Sequence, residues 1–357
     1  MYIILAILAF GIIIAIHELG HYISAKALGV KVNEFAIGMG PKLLKKQGKE
    51  TLYSLRALPF GGFCAMEGEH EEGDEPDPRS FLSQKRWKRI VILAAGSAAN
   101  LISAFIIVFF LTLGAEGFMS TTIAEVTDRF PEAGESELRP GDRIVALNGE
   151  RLFYYDDFVL FSHLNADKQI TFTIDRNGQM VEYQHRPYIV DGEEQYRYSI
   201  YFATTKGNLW ETLKYSGYQT YSFVRMIRVS IAMMISGAAS IQDVSGPVGI
   251  VSAMNTIGQQ APTTTAAIGS IVFFMAFIGV NVAVINLLPI PAMDGGRILF
   301  VILTWIIEKI TRKQLDPKYE GYINTGAFIL LICLMVFIVY NDVVKLIGGE
   351  SIIGMYD

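Results

Sequence analysis

What most limits this chain is a set of apolar runs long enough to cross a lipid bilayer. A hydrocarbon core about 30 Å thick takes roughly 20 residues of helix. The run from Tyr2 to about Leu28 meets that length, and its first polar interruptions are His17, Glu18 and His21. A second, uncharged run covers Ile90 to Leu113. A third starts near Ala266, within the uncharged stretch from Val244 to Met293, and continues past Asp294 and Arg297 to about Ile307. A fourth runs from Gly321 to Tyr340. Composition agrees, since only 18% of the 357 residues are charged and 51% are hydrophobic, where a soluble chain carries about 25% charged residues. The first run has no basic lead and no small-residue cleavage site, so it reads as a retained span rather than a removable signal.

Basic residues orient the spans, because cytoplasmic connections carry the excess of lysine and arginine. Lys31, Lys42, Lys45, Lys46, Lys49, Arg56, Arg79, Lys85, Arg86, Lys88 and Arg89 lie between spans one and two; Lys309, Arg312, Lys313 and Lys318 lie between spans three and four. Both connections are expected to be cytoplasmic, with both termini and the segment from about Ala115 to Thr263 on the outside. The acidic run Glu67 to Asp77 reads as a solvated, flexible loop. The expected order is a first helix at 1–30, a cytoplasmic loop at 31–87 and a second helix at 88–114. An extracytoplasmic domain follows at 115–205, then an interfacial amphipathic segment at 206–263. A third helix at 264–308, a cytoplasmic loop at 309–320, a fourth helix at 321–345 and a tail at 346–357 complete it.

The outward segment carries soluble patterning. Gln169 to Asp175 alternates as a strand and Asn177-Gly178 reads as a hairpin turn. Before them, Ala133-Gly134 leads through Gly141-Asp142 and Arg143 to Leu147 into Asn148-Gly149. This turn–strand–turn order resembles that of PDZ domains, which bind a peptide as an added strand; a steric filter over a membrane site is the alternative. Trp210, Tyr215, Tyr218 and Tyr221 cluster as at a membrane interface, ahead of an apolar stretch, Val229 to Ile235, too short to span. Two cysteines, Cys64 and Cys333, are too few for a disulfide framework. Cys64 reads as a loop residue with no activated thiolate and Cys333, inside an apolar run, as ordinary packing. No basic stripe interleaved with aromatics points to nucleic acid.

His17-Glu18-Leu19-Gly20-His21 is H-E-x-x-H. On a helix the two histidines share a face and can hold one zinc ion, with Glu18 beside them as general base. Its place inside an apolar span matters more than the pattern, because ionisable groups at that depth are costly and functional by default. Catalytic zinc takes three protein ligands and keeps an open position. His70, His163 and His185 lie in loops or in the outward domain, whereas Asp294 closes a long uncharged stretch at matching depth. Pro289 and Pro291 break the helix just before it. Asn281 and Asn286 precede the break as candidates for holding an oxyanion or the substrate backbone, with interhelical hydrogen bonding as the alternative. Iron or cobalt would suit the same ligands.

H-E-x-x-H on the first span, with Asn286-x-x-Pro289-x-Pro291-x-x-Asp294-Gly295 on the third, resembles the site-2 protease family of intramembrane zinc metalloproteases, and the single PDZ-like insertion resembles its RseP-type branch. Phe35 to Pro41 and Leu58 to Phe63 are similar to the family's membrane-associated β-loop. Ser80 to Arg89 with Ala95-Gly96-Ser97-Ala-Ala-Asn100 is similar to its second-span motif, and Ser245 to Gly249 to the segment before its third span. Ser97 stands where the family usually has proline, and one PDZ-like domain stands where some members have two. The resemblance implies a polytopic α-helical membrane protein with four transmembrane helices, a membrane-associated β-loop and one inserted PDZ-like β-rich domain, in the bacterial plasma membrane. It implies Zn2+ on His17, His21 and Asp294, with Glu18 as base. It also implies substrates with a single transmembrane helix, such as anti-sigma factors. Gly38 and Gly40 would let a substrate strand approach the β-loop closely; a cytoplasmic surface hairpin is the alternative there. A catalytically silent scaffold, a zincin of other fold and a metal transporter are the rival classes.

Overall fold

The computed structural model describes residues 2–69, 77–126, 138–165, 168–185, 188–189, 196–198, 200–240, 244–312 and 318–348. His70, most of the acidic run, Ala133-Gly134, Lys313 and the tail beyond 348 lie outside the described residues. The chain divides into two compact units, one of residues 1–111 with 223–357 and one of residues 112–222.

In the first unit, helix α1 (Tyr2–Ala27) leads into strands β1 (Val32–Gln47) and β2 (Leu52–Met66), which pair antiparallel with repeated register shifts. Residues Glu34 to Ile37 have partners on both sides, Gly62 to Ala65 on one and Leu52 to Leu55 on the other. Bending at Gly38 and Gly40, which hold φ +84° and +83°, makes that double pairing possible. Among the described residues Gly62 to Met66 pairs on one side alone, as an edge. Cys64 therefore belongs to a strand and is buried, correcting its reading as a loop residue; burial pushes its thiol pKa up. Helix α2 (Arg86–Thr112) returns across α1. Small residues permit their close approach: a Cβ on Gly20 would lie 2.3 Å from the Ala95 carbonyl oxygen.

The second unit holds β3 (Gly117–Val126), β4 (Arg143–Leu147), β5 (Glu150–Arg151), helix α3 (Tyr155–His163), β6 (Ile170–Arg176), β7 (Gln179–His185), the short pair β8 (Tyr188–Ile189) and β9 (Tyr196–Arg197), and β10 (Ile200–Lys206). The main sheet runs β10-β3-β4-β6-β7, with β5 beside β4. Asn148-Gly149 and Asn177-Gly178 turn the chain with positive φ at all four residues, as two-residue hairpins require. Alternate residues Ile170, Phe172 and Ile174 face a core shared with Ile144, Leu147 and Phe158. Asp142 is 3% exposed and accepts both from Arg176 (Nε 2.8 Å, Nη2 2.6 Å) and from the Arg139 backbone (2.8 Å). The Arg176 guanidinium holds its carboxyl below the usual range. A depressed native pKa means this contribution is present above the unfolded-state value of about 4 and is lost as pH falls through the native value. Arg176→Ala, which strands a buried carboxylate, is expected to cost about 3 kcal/mol. Thermal scans of the full chain at neutral pH check this; an unshifted transition for the β-rich unit would refute it.

Helix α4 (Leu209–Ser236) begins in the second unit and ends in the first. Tyr215 stacks on Phe118 (centroids 4.5 Å apart) and Tyr218 on Phe153 (4.2 Å), with Tyr221 edge-on to Phe153 (6.1 Å), so these rings cluster within the second unit, while Trp210, Tyr218 and Tyr221 remain exposed. The segment expected at 206–263 is thus two helices, α4 and α5 (Pro247–Gln260). Helix α6 (Thr264–Leu287) precedes α7 (Asp294–Thr311) and α8 (Lys318–Gly348). The third span expected over 264–308, with its break at the two prolines, is two helices separated at 288–293, because Pro289 and Pro291 remove backbone donors and obstruct the preceding turn. Among the described residues, α1, α2, α6 and the Gly321–Lys345 part of α8 are long and apolar enough to cross a membrane. Cys333 on α8 is exposed.

Candidate active site

The periodicity of α1 puts His17 and His21 on the same buried face, 6% and 7% exposed. Their imidazoles meet edge to face at 82°, with Nε2 atoms 3.1 Å apart. Asp294 is the first residue of α7, and its Oδ2 lies 3.1 Å from His17 Nε2 and 3.3 Å from His21 Nε2. Among the described residues these three form a group able to hold a metal ion.

Two features bring Asp294 there. The chain between α6 and α7 folds back over the first turn of α7, where a Cβ on Gly295 would lie 2.3 Å from the Leu287 and Leu288 carbonyl oxygens and one on Gly296 2.1 Å from that of Ile290. Internal bonds close this turn, from Ile290 N to Leu288 O (2.7 Å) and from Met293 N to Ile290 O (3.2 Å).

The donor set fits a metal. A tetrahedron with bonds of about 2.0–2.1 Å has edges of about 3.3 Å, close to the three separations observed. Despite those approaches Asp294 Oδ2 makes no aligned hydrogen bond, which an unshared buried carboxylate oxygen would normally have. His21 Nδ1 lies 2.8 Å from the Ile92 carbonyl oxygen. A carbonyl can only accept, so Nδ1 carries the proton and Nε2 keeps its lone pair free.

These groups line a cavity of about 440 Å³ with Glu18, Phe63, Cys64, Ala65, Met66, Glu69, Leu93, Asn286, Ala292, Met293 and Arg297. Glu18 packs against the β2 edge, where a Cβ on Gly62 would lie 3.4 Å from its Cγ. Asn286 Nδ2 lies 3.3 Å from His17 Nε2. Asn281, Gly38 and Gly40 are not among the lining residues. His163 lies in α3 and His185 in β7 of the other unit.

Three lining or neighbouring residues have no role in the sequence reading. Arg297, one turn beyond Asp294, pairs with Glu69 and lies over the Phe81 ring, 5.3 Å from its centroid. Glu69 is thus held at the cavity, and Glu67 pairs with Lys31 at 2.6 Å, which corrects the reading of that part of the acidic run as freely solvated. Gly96 of α2 faces both histidines: a Cβ there would lie 2.4 Å from His21 Nε2 and 2.8 Å from His17 Nε2. Only its position in a motif marks Gly96 in the sequence, and the pairing of Glu69 with Arg297 has no local signal.

A model of the family described as "Peptidase family M50" matches residues 5–334. A protein of Clostridium acetobutylicum named as a zinc metalloprotease is 38% identical, with 96% of this chain and 97% of that protein covered. Another so named, from Clostridium perfringens, is 37% identical over 96% of this chain and 99% of its own length. The regulator of sigma-W protease RasP of Bacillus subtilis is 27% identical over 95% and 97% respectively.

Proposed function

The chain belongs to peptidase family M50, the site-2 type of zinc metalloprotease, and from that premise we propose that it hydrolyses a peptide bond in the transmembrane segment of single-pass membrane proteins such as anti-sigma factors. The observation carrying this is the meeting of His17, His21 and Asp294 beside Glu18 in a cavity of a multi-pass membrane protein. The name of the Bacillus subtilis relative, a sigma-W regulator, supports the substrate class.

His17 Nε2, His21 Nε2 and the Asp294 carboxylate would hold the ion. Zinc bound there supplies Lewis-acid activation of water and of the scissile carbonyl. Glu18 takes the proton of the attacking water and delivers it to the leaving amide nitrogen, as a general base and then acid. The Asn286 amide, beside His17, donates to the carbonyl oxygen as it gains charge; Asn281 on the same helix acts farther along the substrate backbone. A helical substrate must unwind first, since its carbonyls are occupied. The β2 edge from Gly62 to Met66 lines the cavity through four of its residues and offers pairing groups to an extended strand. Gly38 and Gly40 shape the bend that leaves this edge free.

The lysine and arginine distribution supports cytoplasmic connections 31–87 and 309–320, with the termini and the β-rich domain outside. That domain we read as PDZ-like, for its Gly141-Asp142 and Asn148-Gly149 turns around β4 and its helix α3. It binds an extended peptide or filters substrates by size.

Chelation tests the metal. Purified chain in lipid nanodiscs is expected to cut a single-span reporter, to lose that activity with a zinc chelator and to regain it with Zn2+. His17→Ala and Asp294→Ala are expected to co-purify with little zinc. Cleavage that persists through complete zinc removal would overturn the mechanism.

A further inference from the structure

The turn that delivers Asp294 is held from outside the catalytic motifs. Pro289 and Pro291 have no N–H to offer, and the amides of Ile290 and Met293 are used within the turn. The remaining donor, Ala292 N–H, reaches another helix: Asn324 Oδ1 on α8 accepts it at 3.2 Å. Ala292 holds φ +70°, a left-handed conformation that a residue with a Cβ avoids. A left-handed alanine two residues before a carboxylate that must meet two imidazoles needs something to hold it.

Asn324 stands on a helix whose described side chains are largely apolar and exposed. Its neighbours Ile323, Phe328 and Ile329 are 48%, 57% and 58% exposed, as lipid-facing side chains would be. Far along the same helix, Asp342 accepts from the N–H groups of Gly246 (3.1 Å) and Gly249 (2.9 Å) at the start of α5. Helix α8 is thus joined to the rest of its unit by polar contacts toward both ends, and the one at Asn324 ends two residues from the site.

We propose that Asn324 is a positioning residue for the third ligand: by holding Ala292 in its left-handed turn it sets where the Asp294 carboxylate meets His17 and His21. Docking of α8 then becomes a condition of metal retention. The inference rests on the ligand assignment made above. In a spanning segment a polar side chain is expected to have a partner and a purpose, and groups that orient metal ligands influence affinity nearly as strongly as the ligands do.

The test uses purified full-length chain in nanodiscs, following zinc release to a chelator together with kcat and KM on a single-span reporter. Asn324→Leu is expected to release zinc about tenfold faster and to lower kcat with KM little changed. Asn324→Asp keeps an acceptor and is expected to restore both. Adding Ala292→Gly to Asn324→Leu is expected to recover most of the loss, because glycine adopts a positive φ without help; a defect in helix docking alone would not respond. Phe328→Ala, on the same helix, is expected to behave as wild type. Zinc release unchanged in Asn324→Leu, or a loss that neither Asp at 324 nor Gly at 292 corrects, overturns the proposal while leaving the ligand assignment standing. A wild-type chain that holds no zinc overturns both.

Discussion

Replacing Glu18 with glutamine is expected to slow reporter cleavage about 10³-fold while leaving the zinc content unchanged. General acid–base groups contribute about 10²–10⁴ in rate, and 10³ corresponds to about 4 kcal/mol of barrier. The substitution is close to isosteric, so the packing of this side chain against the β2 edge at Gly62 is kept. What disappears is the proton acceptor. Glu18 lines the cavity but is not one of the three groups whose donor atoms converge, and retention of metal separates this variant from His17→Ala. Co-expression with a tagged single-span reporter, together with zinc analysis of the purified protein, measures both quantities. Equal cleavage by wild type and Glu18→Gln would remove the base from the mechanism.

The second large effect is expected at a residue with no chemistry of its own. Gly96→Ala places a methyl group where His21 Nε2 is 2.4 Å away and His17 Cε1 and Nε2 are 2.8 Å away. Real Cβ atoms do not approach that closely, so one or both imidazoles must move. His21 has little room to do so, tethered through Nδ1 to Ile92 in the same helix α2. Zinc affinity is expected to fall by at least 100-fold and cleavage with it. The fold is expected to hold, because alanine favours helix over glycine by about 1 kcal/mol, and that gain falls on α2 itself. Gly269→Ala on α6, where an added Cβ meets nothing within 4 Å, is the control. Loss of zinc with an undiminished melting temperature is the expected pattern. Full zinc content in Gly96→Ala would show that the two histidines are not held as described.

The reach of sequence reading followed the range of the interactions. The His17/His21 pairing was legible because it is one helical turn, and the membrane spans because bilayer thickness dictates their length. Asn177-Gly178 announced its hairpin because only a few residue types tolerate positive φ, and the structure has that turn between β6 and β7. The break before Asp294 is legible from its two prolines, which lie between the end of α6 and the start of α7.

What stayed hidden is long-range. Nothing local to Glu69 tells that it meets Arg297, and its acidic neighbours suggested solvent instead. The double pairing of Glu34 to Ile37 depends on a bend at two glycines, while strand alternation specifies which face a residue takes but not which partner. The side that Cys333 presents is hidden for a related reason: in a membrane helix an apolar run looks the same whether it faces protein or lipid. The stacking of Tyr215 on Phe118, almost a hundred residues away in the chain, has no local signal either.

Zinc-edge X-ray absorption on the purified wild-type chain, repeated on Asp294→Asn, tests the ligand assignment most directly. The expected wild-type signal is a zinc shell of two imidazoles and carboxylate oxygen at about 2.0–2.1 Å, weakened or lost when the carboxylate is replaced. An unchanged shell in Asp294→Asn, or a wild-type shell containing sulfur or a single imidazole, would contradict it.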